Sequence, residues 1–391
     1  MHTKLRRAAF AAAGLAAALH AAPAAAQSDI LLRLRSGSPL GDRFRVDSAG
    51  GVVSVAQLGI GIIPATGAGW RMMWYPFKAA FRAGGLDGAG TQWNDANTGF
   101  YSWAGGHNTI ASAFATFAFG DAVTVTGTDA AGFGGSSTVS GTAGFSAGAS
   151  NNCSGFGCVA MGFTNTASGQ GSVAIGYRVT ADADYSVALG HRASANGHSG
   201  VFVLGDESTT DSIEATANNQ FLSRYAGGYR LYTNATTTTG VSLNAGGSSW
   251  NVISDRNRKG DFAAVDGEDL LLRLRAVPVT TWRYRDEADR STFHIGPMAQ
   301  DWHRAFGFSA DATTINMSDF DGVNLAAVRA LEARTAGQAR QLEAQRRELE
   351  AQGLQVRAVQ AQNAALLAQN QQLLGRLERL EAALAAGTAR P

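Results

Sequence analysis

A serine and a lysine five residues apart, in the run Ser254-Asp255-Arg256-Asn257-Arg258-Lys259, are the pair in this chain best suited to chemistry. Lysine is scarce: Lys4, Lys78 and Lys259 are its three occurrences in a Lys+Arg total of 32. A position needing charge alone would be expected to hold Arg. Lysine differs because it can lose its proton when desolvated and then act as a base. A serine beside a neutral lysine is a nucleophile–base pair. The same six residues also fit a surface lysine after a Ser-Asp turn, and Asp255 can either orient Lys259 or form that turn. No histidine-based triad pattern is present. His191 and His198 fall among polar links and read as surface residues.

The elements that must carry this pair differ on its two sides. Lys4, Arg6 and Arg7, the apolar stretch Ala8–Ala22 and the small residues Ala24-Ala25-Ala26 form an export signal, residues 1–26. The protein is therefore expected to be exported, either secreted or associated with the cell surface or outer membrane, with no membrane span once the signal is removed. A net charge of +1 gives no case for nucleic acid. Glycine, 48 of 391 residues, is well above its usual ~7%, and charged residues at 16% fall below the usual ~25%. That composition favours a repetitive β architecture. Cys153 and Cys158 are the two cysteines; export permits a disulfide between them, and without nearby histidines they make no metal site. No cofactor is expected.

Glycines recur every fourteen residues at Gly106, Gly120, Gly134, Gly148, Gly162, Gly176 and Gly190. The clearest copies read Cys158-Val-Ala-Met-Gly162, Ser172-Val-Ala-Ile-Gly176 and Ser186-Val-Ala-Leu-Gly190. Alternation puts Val and Met, Ile or Leu on one face and Ala on the other, and glycine is expected to supply turn conformations. A fixed period signals a solenoid whose coils bury surface against their neighbours and by self-association. These copies resemble the head repeats of YadA-like trimeric adhesins. The resemblance implies a left-handed parallel β-roll, three chains side by side, over residues 101–206. Such adhesins end in an outer-membrane barrel anchor, whereas this chain ends in a polar helix, so it is not expected to be an autotransporter. Trp70–Pro76 and Gly90–Asp95 are aromatic-rich; core or interface packing is favoured over a carbohydrate-binding face.

From Ser254 the pattern changes. Leu270–Arg275 reads as a short helix, Pro278–Tyr284 as a strand, and His294–Gln300 as a lead into a helix with Asp301 and Trp302. Asp321 can cap the next helix near Val323. Beyond it Val328, Leu342, Leu349, Val356, Leu377 and Leu384 recur in heptads with Leu331, Val359, Leu366, Leu373 and Leu380 at the partner position, and Asn363 and Asn370 can fix register. As an ordered set, Ser254-Asp255-Arg256 with Lys259, the Leu274-Arg275-Ala276-Val277-Pro278-Val279 segment, Tyr284, His294-Ile295-Gly296, Ala299-Gln300 and the terminal coiled coil resemble the intramolecular chaperone auto-processing domain of phage endosialidase tail spikes. Gly260 and Pro297 depart from the usual pattern. The resemblance implies that three chains are assembled and the domain then cuts itself off, with Ser254 as nucleophile and Lys259 as base. The cut falls at Ser254, either Ile253/Ser254 or Ser254/Asp255. Attack on the Ile253 carbonyl closes a five-membered ring, whereas attack on the carbonyl of Ser254 itself needs a four-membered one.

The expected organisation is a signal peptide (1–26), an N-terminal β region (27–100), head-like repeats (101–206), a β stem (207–253), the chaperone domain (254–325), a coiled coil (326–386) and a tail (387–391). The fold class is a mainly β trimeric fibre followed by a small α+β domain and a helical coiled coil. The expected function is a homotrimeric, adhesin-like fibre released from its own chaperone by autoproteolysis, with no external substrate. The alternatives are a fibre whose cassette only trimerises, and a surface adhesin with a host-surface or glycan ligand.

Overall fold

The computed structural model describes residues 30–36, 41–287, 289–308 and 311–387. The expected signal peptide and the last four residues of the tail lie outside them. The chain divides into two compact units. One runs to Leu231 and takes in Ser242–Asn251; the other joins Tyr232–Val241 to the chain from Val252 onward.

In the first unit, fourteen residues make one five-residue strand, a corner, a two-residue strand and a second corner. Val159–Phe163, Val173–Tyr177 and Val187–His191 pair in parallel and in register, aligning Val159, Val173 and Val187, then Gly162, Gly176 and Gly190. Asn152–Cys153, Thr166–Ala167 and Thr180–Ala181 form a second ladder. Among the described residues the long strands build an eleven-stranded sheet, from Gly69–Tyr75 to Phe221–Arg224. The short ones build an eight-stranded sheet, from Ile110–Ala111 to Ile213–Glu214. The result is a parallel β-solenoid over residues 103–205, with sheet continuing beyond the repeat at both ends. Gly69–Tyr75 pairs antiparallel with Ala80–Leu86 at the N-terminal edge.

The interior is made of small side chains. Ala160, Ala174 and Ala188 are fully buried in one cluster with Cys153, Ala167 and Ala181. The ladders lie too close for more: a Cβ on Gly132 would meet methyls of Val123, Val125 and Val139 at 2.9–3.3 Å. The larger residues of the same long strands, such as Phe119, Phe133 and Ile175, alternate outward and stay exposed. Two buried asparagines join successive coils. Asn165 Nδ2 donates to the Met161 and Gly176 carbonyls at 2.7 and 2.8 Å, and its Oδ1 accepts from the Val179 amide at 2.9 Å. Asn151 repeats this one coil earlier, so neither amide is left unpaired in the core. Cys153 and Cys158 form a disulfide, with Cα atoms 5.7 Å apart.

The periodic glycines do not make the corners, contrary to expectation. Each lies inside a long strand, with φ between +96° and +138°. A Cβ there would run into the carbonyl of the glycine one coil on, or of Gly205 for Gly190. They are needed because two backbones approach and because L side chains resist that φ. The corners use left-handed residues that are mostly not glycine, among them Ala115, Ala143, Ser150, Arg178 and Tyr185. A second fourteen-residue series, Gly127, Gly141, Gly155 and Gly169, meets the next coil's carbonyl at negative φ.

The aromatic-rich N-terminal segments split. Trp93 is fully buried and donates Nε1–H to the Thr109 carbonyl at 2.9 Å, while Trp70 is exposed.

In the second unit, α1 (Gly267–Ala276), α2 (Ala299–Phe306) and the start of α3 (Met317–Gly387) share a core of Leu270, Trp302, Val323 and Ala327. Asp266 caps α1 by accepting from the amides of Glu268 and Asp269. Glu268 is clasped by Arg334 of α3, which lowers the carboxyl's pKa through that hydrogen bond and raises that of the guanidinium. The expected strand at Pro278–Tyr284 narrows to Thr280–Trp282, paired antiparallel with His294–Gly296. α3 begins at Met317, before the expected start, and Asp321 lies inside it. Asn316 does the capping, its Oδ1 accepting from the Ser318 amide at 2.9 Å. No helix among the described residues is long and apolar enough to cross a membrane.

Candidate functional site

Ser254 follows the strand Asn251–Val252. The next residues make a single 3₁₀ turn, Arg256–Arg258, because Asp255 caps it: its carboxylate accepts from the Asn257 amide at 2.9 Å and from Asn257 Nδ2 at 3.1 Å. The Lys259 amide closes the turn on the Arg256 carbonyl at 3.2 Å. One tight turn thus folds the five-residue spacing back on itself. Lys259 Nζ donates to Ser254 Oγ at 2.7 Å, and both residues are exposed in the single chain. A lysine at this distance can take the hydroxyl proton once it has lost its own. Asp255 contacts Asn257 and Arg258, with Arg258 Nε 3.5 Å from its Oδ2; this is the turn-forming one of its two expected roles.

The turn is also tied to the chain before it. The Ile253 amide donates to the Gly240 carbonyl at 3.4 Å, and Arg258 Nη1 donates to the Thr238 carbonyl at 2.8 Å. Neither contact has a signature in residue types, since each acceptor is a main-chain carbonyl far off in sequence.

A second cluster in the same unit gathers Trp282, Tyr284 and His294, with the Trp282 and His294 rings 4.7 Å apart. His294 Nε2 lies 2.9 Å from Glu287 Oε1, and that hydrogen bond lowers the Glu287 pKa. The cluster contains no serine, threonine or cysteine. The Cys153–Cys158 disulfide belongs to the solenoid.

No curated protein matches the chain. Residues 254–309, which begin at the serine of the pair, match the peptidase S74 family, chaperone of endosialidase, a type of domain that joins trimer assembly to self-processing.

Proposed function

We propose that the chain is an exported, homotrimeric fibre protein whose C-terminal domain aligns three chains and then releases itself by cutting at Ser254. The observation that carries this reading is the 2.7 Å contact between Lys259 Nζ and Ser254 Oγ at the start of the matched segment. The apolar side chains Leu342, Leu349, Leu366, Leu373 and Leu380 along α3, exposed in the single chain at heptad spacing, support the aligning role.

In the proposed reaction, assembly covers the exposed pair and removes water, which favours the neutral amine of Lys259. Lys259 takes the Ser254 hydroxyl proton, and Oγ attacks the Ile253 carbonyl carbon. The Ile253–Ser254 C–N bond breaks as its nitrogen receives a proton from Lys259. The products are an ester of Ile253 on Ser254 Oγ and a free Ser254 amine. Water then hydrolyses the ester, giving an Ile253 carboxylate and restoring the hydroxyl. One event per chain consumes one water and needs no cofactor.

The test is intact mass of the purified wild type beside Ser254→Ala and Lys259→Arg. Wild type should yield two fragments whose masses place the cut at Ile253/Ser254 rather than Ser254/Asp255. Both variants should stay whole and still assemble, because Arg keeps the charge but cannot serve as the base. A single uncut full-length mass for each of the three would leave a trimerising fibre that does not cut.

A further inference from the structure

The Ser254–Lys259 turn is held from both sides by one small feature. Between the strands Gly228–Tyr232 and Gly240–Asn244 the chain makes a threonine-rich bend. Asn234 organises it. Its Oδ1 accepts from the Thr238 and Thr239 amides at 2.9 and 3.1 Å, and its Nδ2 donates to the Thr236 and Thr238 hydroxyls at 3.0 and 2.6 Å. The Thr233 amide closes the bend on the Thr239 carbonyl at 3.0 Å. The same bend supplies the Thr238 carbonyl to Arg258, while Gly240, at its far end, supplies a carbonyl to Ile253. Ile253 immediately precedes the nucleophile and Arg258 immediately precedes the base.

We propose that the Thr233–Gly240 bend is the positioning scaffold of the self-cleaving pair, with Arg258 as its strap, so that the cut waits until this part of the stem has folded. The inference rests on the proposed self-cleavage. Lysine and serine sit on an exposed single turn, which by itself is free to open; Arg258 fastens that turn to a bend already closed by Asn234. Reacting groups misplaced by about 1 Å can lose rate by up to about a hundredfold. An unfolded bend would therefore leave the pair chemically intact but idle. Arg258 contacts no reacting atom and is a positioning residue.

The experiment follows the full-length chain after expression, measuring the rate of fragment appearance by intact mass and the oligomeric state by light scattering. The variants are Arg258→Ala, Arg258→Lys, Asn234→Ala, the double Asn234→Ala/Arg258→Ala, and Ser254→Ala as the uncut reference. Arg258→Ala and Asn234→Ala should each cut about tenfold more slowly or worse while remaining assembled. Arg258→Lys, which keeps a donor, should recover part of the rate. The double variant should be no slower than the slower single one, because Arg258 acts only through the bend that Asn234 closes. Wild-type cutting by Arg258→Ala, independent effects that multiply, or loss of assembly together with cutting would each overturn the strap. A wild type as whole as Ser254→Ala would instead overturn the self-cleavage on which it rests.

Discussion

At the scale of single residues, glycine spacing was legible in the sequence but its purpose was not. A period of fourteen says where backbones must be special, not whether they turn or merely pass close. Gly176 and Gly157 separate the two demands. Gly176 has φ +138°, and a Cβ there would overlap the Gly190 carbonyl. Gly157 sits at a corner with φ +63° and open space around it. The corner one coil earlier is already an alanine, Ala143, at φ +55°. Gly157→Ala should therefore cost only about 1 kcal/mol, whereas Gly176→Ala combines backbone strain with a clash that nothing flexible can relieve and should cost about 3 kcal/mol or more. Thermal melting of the two variants checks this, and equal losses would refute the distinction. The Ser254–Lys259 pair was likewise visible from type and spacing. Its supports were not, because Arg258 acts on a carbonyl and any residue could have supplied one.

At the scale of elements, three strand ends at the start of the solenoid are joined by one imidazole. His107 Nδ1 lies 2.7 Å from Asp121 Oδ1 and Nε2 lies 2.6 Å from Asp87 Oδ2, with Trp70 stacked on the ring at 6.1 Å. The Asp121 hydrogen bond first, then that of Asp87, raises the His107 pKa, while partial burial opposes them. Because the folded-state pKa lies above the unfolded one, this contribution is full below about pH 6.5 and is lost as pH rises through the folded value. The melting temperature of the wild type should exceed that of His107→Gln at mildly acidic pH, and the gap should close as the solution is made alkaline. A gap that stays constant or widens would show that the imidazole's charge does not link these ends. The repeat announced the coils, but nothing in the spacing announced that Asp87, which lies outside it, would reach His107. Element ends were also the weak point elsewhere. Asp321 and Asn316 are both good caps, and the choice between them was decided by Phe320 and Val323 packing on the Trp302 core, which local propensity does not contain.

At the scale of the whole molecule, the proposed template answers a difficulty created by the repeat itself. Within one chain the ladder is local, the long strands from Trp103–His107 to Val187–His191 each pairing with the next one fourteen residues on, so a coil meets its partner soon and cheaply. Alignment between chains is different. Val159, Val173 and Val187 present nearly the same outward surface, as do Met161, Ile175 and Leu189, so a neighbour slipped by one coil would lose little. Weakly specified registers invite slippage and aggregation. A helix with aperiodic features, such as Asn363 and Asn370 in its seam, has one best alignment and can impose it on the three chains. Once the template has gone, an aligned fibre should persist because unfolding is slow, not because refolding can restore it. Accordingly, Ser254→Ala trimers unfolded in guanidinium and diluted should return as trimers with the original melting temperature. Cleaved wild type freed of its C-terminal fragment should return as a polydisperse mixture. Equal recovery of both would mean that the solenoid aligns itself, and the chaperone role assigned to the α3 helix would fall even if the cut at Ser254 stood.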